Sequence, residues 1–164
     1  YFTANGTATN VVTAGNVAIE IKETAIAEDG GDLVAYEDVT GIVPGTEVSK
    51  IVQVENTGDN PAYVRIQVTK DITLAEGMSG ETDTNLIQLD LNMDDWVEKD
   101  GYYYYKYPIS ADEMTTPLFT SVSFHQEMGN LYQNCRASVT VQAQAVQAEN
   151  NGSDVLKAAG WPQE

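Results

Sequence analysis

The side chains able to do chemistry are few in this sequence, and most of them do not gather. His125 is the one histidine, so zinc centres that need two or three imidazoles are excluded. The local text His125-Gln126-Glu127-Met128 lacks the second histidine of a zinc-protease helix. A Ser–His–Asp triad would have to be built on His125, and no GxSxG elbow accompanies it. Its place at the end of the run Leu118 to Phe124 reads instead as an exposed strand-end histidine. Cys135 is the one cysteine, which excludes an intrachain disulfide and a CxxC metal framework. It reads as a buried or half-buried small hydrophobe.

Carboxylates are abundant, but no pair of them stands out for glycosidase work. Asp90-Leu91-Asn92-Met93-Asp94-Asp95 opens like a calcium loop. It lacks glycine at the sixth position, and Gly101 stands where the closing glutamate belongs, so a solvated acidic turn is the better reading. Accordingly no catalytic, cofactor-binding or metal-ligating residue is assigned. The densest aromatic cluster is Tyr102, Tyr103, Tyr104 and Tyr105, with Trp96 and Tyr107 nearby. Strand alternation turns two of the four consecutive tyrosines inward and two outward. Outward rings would make a contact patch for glycan or protein, or would pack across the pleat against their neighbours, which is the favoured reading.

Eight Lys and Arg face 25 Asp and Glu, a formal net charge of −17. Such a surface repels nucleic acid and anionic membrane alike. No stretch approaches the ~18 consecutive apolar residues of a membrane span. The chain begins at Tyr1 without a methionine, which a removed export signal or a trimmed chain would each explain.

The elements that must position these residues are strands. Val17, Ile19 and Ile21 alternate with polar residues, as do Ala62, Val64, Ile66 and Val68. Val48, Val52 and Val54 share a face that Lys50 interrupts. Ile87, Leu89 and Leu91 form a further set, as do Leu118, Val122 and Phe124, and the longest is Ala137, Val139, Val141, Ala143 and Ala145. Asp100-Gly101 between Trp96-Val97-Glu98 and the tyrosines is a hairpin signal. The polar loop Asn56 to Pro61 reads as a turn joining Val52–Asn56 to Ala62–Val68. Thr73 to Asn85 reads as a long loop, with or without a short helix. Ser153 to Ala159 predicts a short C-terminal helix, capped by Ser153 and stopped by Gly160. About eight or nine short strands in one domain, 1–164, predict an all-β, antiparallel two-sheet sandwich of jelly-roll type, with β segment Ala137 to Ala148 central and a tail over 150–164.

The N-terminal text carries a resemblance. Tyr1-Phe2-Thr3, Thr7-Ala8-Thr9-Asn10, Thr13-Ala14-Gly15-Asn16-Val17, Ile19-Glu20-Ile21 and Glu23 resemble the mature start of TasA/camelysin-type proteins, which Gram-positive bacteria export through a signal peptidase of the SipW kind. Ile42-Val43-Pro44-Gly45-Thr46-Glu47-Val48, then Val52-Gln53-Val54-Glu55-Asn56-Thr57-Gly58, is similar to a PG-then-ENTG block of that family. Ala137 to Ala148 is similar to its closing strand. The middle of the chain is not covered, although Trp96 and Tyr102 to Tyr105 resemble related exported proteins.

The resemblance implies a jelly-roll sandwich and a secreted, non-catalytic fibre subunit or fibre accessory of a biofilm matrix or cell surface. Its partners would be itself or homologous matrix subunits. It implies assembly by donor-strand pairing, in which residues 1–14 of one copy complete the sheet of the next. Phe2, Val11 and Val12 are the sizeable apolar side chains of that segment. The alternative on the residues alone is an N-terminal strand that pairs within its own domain, or a loose tail. A metalloprotease activity also attaches to the family through camelysin, and the single His125 lends it no support. An adhesin-like module contacting glycan or a surface protein through the tyrosines is the runner-up function.

Overall fold

Alternating apolar residues bury one face of most strands, and two such faces close on each other. The computed structural model describes residues 1–5 and 9–163. Thr7 and Ala8 of the N-terminal block lie outside the described residues, as does Glu164 of the tail.

One sheet runs, in spatial order, β5 (Val39–Ile42), β1 (Phe2–Asn5), β12 (Arg136–Gln147), β7 (Ala62–Thr73), β10 (Tyr102–Tyr105) and β9 (Trp96–Lys99). β2 (Thr9–Thr13) pairs with β12 in the same sheet. The other sheet runs β4 (Leu33–Ala35), β3 (Ile19–Ile26), β6 (Glu47–Asn56), β11 (Phe119–Phe124) and β8 (Ile87–Leu89). The all-β, two-sheet fold is the one the alternation predicts.

β12 and β7 form the spine. They pair antiparallel without a register break from Arg136↔Thr73 to Gln147↔Ala62. Val139, Val141, Ala143 and Ala145 of β12 join Val64 and Ile66 of β7 in the core, together with Val52 and Val54 of β6 and Val122 and Phe124 of β11. Burying each larger aliphatic or phenyl side chain contributes roughly 1.5–3 kcal/mol. Trp96, Leu118 and Phe119 are fully enclosed.

Four features differ from the sequence reading. β1 and β2 lie parallel to β12, so the first sheet is mixed where an antiparallel one is expected. Parallel pairing follows because β1, β2 and β12 all run the same way and no hairpin joins them. Next, β6 and β7 do not pair with each other. The chain crosses from one sheet to the other between them, β6 pairing with β3 and β11 and β7 with β12 and β10. Asn56, fully buried, fixes that crossing: its Nδ2 donates to the carbonyls of Asn60 and Ile109, both at 2.9 Å, and its Oδ1 accepts from Gly58 N–H.

Third, no α-helix occurs among the described residues, and the predicted C-terminal helix is a single 3-10 turn, Val155–Lys157. Asp154, not Ser153, caps it by accepting from Leu156 N–H. A stretch this short cannot recover the cost of nucleating an α-helix without a larger apolar face to bury. Fourth, there are more strands than predicted, because β4 and β5 are brief edge strands with few buried residues. The Asp100-Gly101 hairpin is as expected: φ is 52° and 85° at the two turn residues, both left-handed, and Tyr102 faces Lys99.

Candidate functional site

The N-terminal segment is held on one side by β12 and, for its first part, on the other by β5. Thr3, Ala4 and Asn5 align with Arg136, Ala137 and Ser138, and Thr9 to Thr13 with Val141 to Ala145. Thr3 N–H donates to Cys135 O at 3.0 Å, Asn134 N–H to Tyr1 O at 2.8 Å and Ala14 N–H to Ala145 O at 3.1 Å. Across from β12, Phe2 pairs with Ile42 and Ala4 with Val39. β5 has β1 as its partner in this sheet, so β1 is the strand that ties β5 to β12.

The three apolar side chains of the segment fare differently. Phe2 is 3% exposed, its ring edge-on to Phe124 with centroids 5.0 Å apart. Ala4 is buried beside it. Val11 is 38% exposed and Val12 half-buried. Phe2 therefore supplies most of the apolar anchoring that the sequence distributes over all three. Its burial contributes roughly 1.5–3 kcal/mol, and strand hydrogen bonds add a net ~0.5–1.5 kcal/mol each.

The tyrosines divide by the pleat as predicted. Tyr103 and Tyr105 join the main core, and Tyr102 and Tyr104 lie on the opposite face. Trp96 stacks at a tilt on Tyr105, centroids 5.0 Å apart. Its Nε1 finds no acceptor among the described residues. Burial pushes the Tyr103 hydroxyl above its usual range, with Glu98 adding to the shift.

The outward rings are not an open patch. Arg65 lies among them, its guanidinium carbon 4.0 Å from the Tyr102 centroid, 5.6 Å from Tyr104 and 4.6 Å from Trp161. Its Nη1 donates to Tyr104 Oη at 2.8 Å and its Nε to Gln144 Oε1 at 2.7 Å. Trp161 meets Tyr104 edge-on at 5.6 Å. The C-terminal stretch is strapped across this face by Tyr63 Oη donating to Gly152 O and by Asn151, which exchanges hydrogen bonds with the backbone of Ala159. Neither Arg65 nor Trp161 is singled out by the sequence reading. The signal was Arg65 standing at an outward position of β7, one place from Tyr63 in that phase.

The remaining candidates are occupied structurally. His125 Nδ1 accepts from Glu127 N–H at 3.1 Å, and the backbone N–H of His125 donates to Leu86 O at 2.9 Å. Asp90 accepts from the amides of Thr120 and Ser121 at 2.7 and 2.8 Å and from the Thr120 hydroxyl. Burial pushes its carboxyl up, but these hydrogen bonds outweigh it and hold the pKa below the usual range. Asp95 accepts from the Thr116 hydroxyl at 2.7 Å and from Asn92. No group of three His, Cys, Asp or Glu able to hold a metal occurs among the described residues. Among them too, no helix is long and apolar enough to cross a membrane. Cys135 is buried, and that burial raises its thiol pKa.

Sequence reasoning also missed a charged pair in the core. Lys50, read as an interruption of the Val48–Val54 face, keeps that face and is 1% exposed, paired with Glu23. The available signal was a lysine in an inward phase. No protein-family model, curated protein or solved structure matches this chain.

Proposed function

We propose that this chain is a non-catalytic structural subunit, exported to a bacterial surface or matrix, that assembles by passing its N-terminal strand from one copy to the next. The reading rests on the resemblance of its N-terminal, PG-then-ENTG and closing-strand blocks to TasA/camelysin-type proteins. One observation supports it above the others. β1 fills a slot between β5 and β12, parallel to β12 and antiparallel to β5, and no hairpin ties it to either. The same slot in a second copy offers the same hydrogen-bond edges and the same seat for Phe2, so exchange conserves every contact.

Conserved contacts set the thermodynamics. Closed and exchanged forms differ mainly in linker strain and association entropy, so concentration decides between them. The net charge of −17 opposes association, and salt screens it. The test is sedimentation of the intact chain against one lacking residues 1–14, over a range of salt. The intact chain should form polymers faster as salt rises. The shortened chain should stay unpolymerised and should bind a synthetic peptide of residues 1–14. Polymerisation of both chains alike, or of neither at any salt, would sink the proposal.

The glycan- or protein-binding alternative has less support, because Tyr102 and Tyr104 are covered by Arg65 and Trp161. Glycan binding lost on Tyr102→Ala would revive it.

A further inference from the structure

The pair Lys50–Glu23 lies inside the fold, against β1. Lys50 Nζ donates to Glu23 Oε2, and the two side chains are 1% and 11% exposed. The ammonium is 4.0 Å from the centroid of the Tyr36 ring, and a small, mostly apolar hollow lined in part by Ala4, Val48, Val122, Phe124 and Val139 adjoins it. That space, about 10 Å³, is near the smallest that holds one water. Glu23 pairs with Val52 across β3 and β6, so Lys50 is its diagonal neighbour on the same inward face.

We propose that Lys50 and Glu23 condense after folding into an isopeptide bond, Nζ to Cδ, that joins β3 covalently to β6. The Nζ lone pair attacks Glu23 Cδ. The tetrahedral carbon then expels one carboxyl oxygen, which departs as water with the acid's own proton and one from the attacking nitrogen. One C–N bond forms and one C–O bond breaks. No oxidant, reductant or further reactant enters.

Three observations bring the pair to this step. Contact places nucleophile and electrophile together, which removes the entropic cost of finding each other. Desolvation favours the reactive neutral forms: burial lowers the Lys50 pKa and raises that of Glu23, with the ion pair opposing both shifts and Asp38 opposing the first. A dry interior also favours the product, because two buried charges are replaced by one neutral amide. In bulk water hydrolysis would oppose the step, and the burial of Lys50 and most of Glu23 restricts the access of water to the bond. The chain has one cysteine, so a covalent brace within the fold cannot be a disulfide.

Intact-mass spectrometry of the purified, folded protein decides the matter. The expected mass is that of the sequence less one water. Trypsin should not cleave after Lys50, so that Glu23 and Lys50 are recovered in a single peptide, 23–65, also lighter by one water and closed into a loop by the bond. Glu23→Gln should change the loss from water to ammonia, and Lys50→Ala should restore the full sequence mass. A wild-type mass equal to the sequence overturns the proposal, and needs no variant to fold. Loss of ammonia from the wild type would overturn it too, by making a side-chain amide the acyl donor in place of Glu23.

Discussion

Replacing Phe2 by alanine separates a strand that is merely packed from one that can leave. The side chain is 3% exposed and stacks on Phe124. Truncating a buried phenylalanine typically costs about 3–5 kcal/mol, of which the edge-on ring pair is roughly 0.5–1.5 kcal/mol. In a central strand the whole cost would fall on global stability. β1 spans only Phe2–Asn5, and it lacks a hairpin partner to hold it. The cost should therefore appear first as local opening, with β12 and β7 still paired. At about 1.4 kcal/mol per decade, the Thr3 amide, which donates to Cys135 O, should exchange its hydrogen roughly a hundred- to a few-thousand-fold faster. Amides at the centre of the β12–β7 ladder should change far less. Native-state hydrogen exchange read by mass spectrometry or NMR measures both in one experiment. Equal acceleration of Thr3 and the spine would refute the reasoning, because β1 would then open only with the entire domain. An unchanged Thr3 would refute the assignment of Phe2 as its anchor.

Arg65→Lys keeps the charge but loses the planar fork that reaches Gln144 and Tyr104. It should destabilise by about 1–3 kcal/mol by leaving buried Gln144 underpaired, and should red-shift the fluorescence of Trp161. Asp90→Asn should lower the melting temperature at neutral pH by less than the equivalent of about 1 kcal/mol, since the site is exposed. Because the folded-state pKa of Asp90 is depressed, its contribution is fully present above the ordinary carboxylate range and is lost as pH falls through the folded value. Thermal unfolding of both chains should thus converge in acid, and a gap that widens there would contradict the assignment. Dialysis against a chelator should leave the melting temperature unchanged, and stoichiometric zinc surviving that dialysis would contradict the reading of the acidic loops.

The parts of the fold legible in the sequence are those whose residues repeat a simple period. Val139, Val141 and Ala143 announce β12 because every second residue must face a core. Asp100-Gly101 announces the β9–β10 turn because few residue pairs accept two left-handed conformations. The division of Tyr102 to Tyr105 into two faces follows from the pleat alone. Other features depend on partners distant in sequence. The parallel seating of β1 and the crossing at Asn56 are set by which strand edges remain open after β12 and β7 pair. β4 is too short and too exposed, with Leu33 60% and Val34 46% accessible, to leave a periodic signal. Lys50 reads as a break because a charge in an apolar phase usually is one, and only the approach of Glu23 from β3 gives it a buried place. Trp161 is invisible as a contact until the C-terminal stretch folds back onto Tyr104.

The direction in which β1 and β2 run has a mechanical side. Parallel neighbours place the start of β1 and the far end of β12 at opposite ends of their shared seam. Tension that enters at Tyr1 and leaves beyond Gln147 therefore pulls the strands along each other, and the pairings of Thr3–Asn5 and of Thr9–Thr13 with β12 carry the load together. An antiparallel hairpin pulled at its open end yields one bond at a time instead. Resistance to such a pull is set by the barrier to rupture and not by the equilibrium stability of the domain. If the strand belongs to the next copy, the same shear geometry lies across every junction of a fibre. A chain of modest folding stability would then hold under flow, so long as force arrives along its axis.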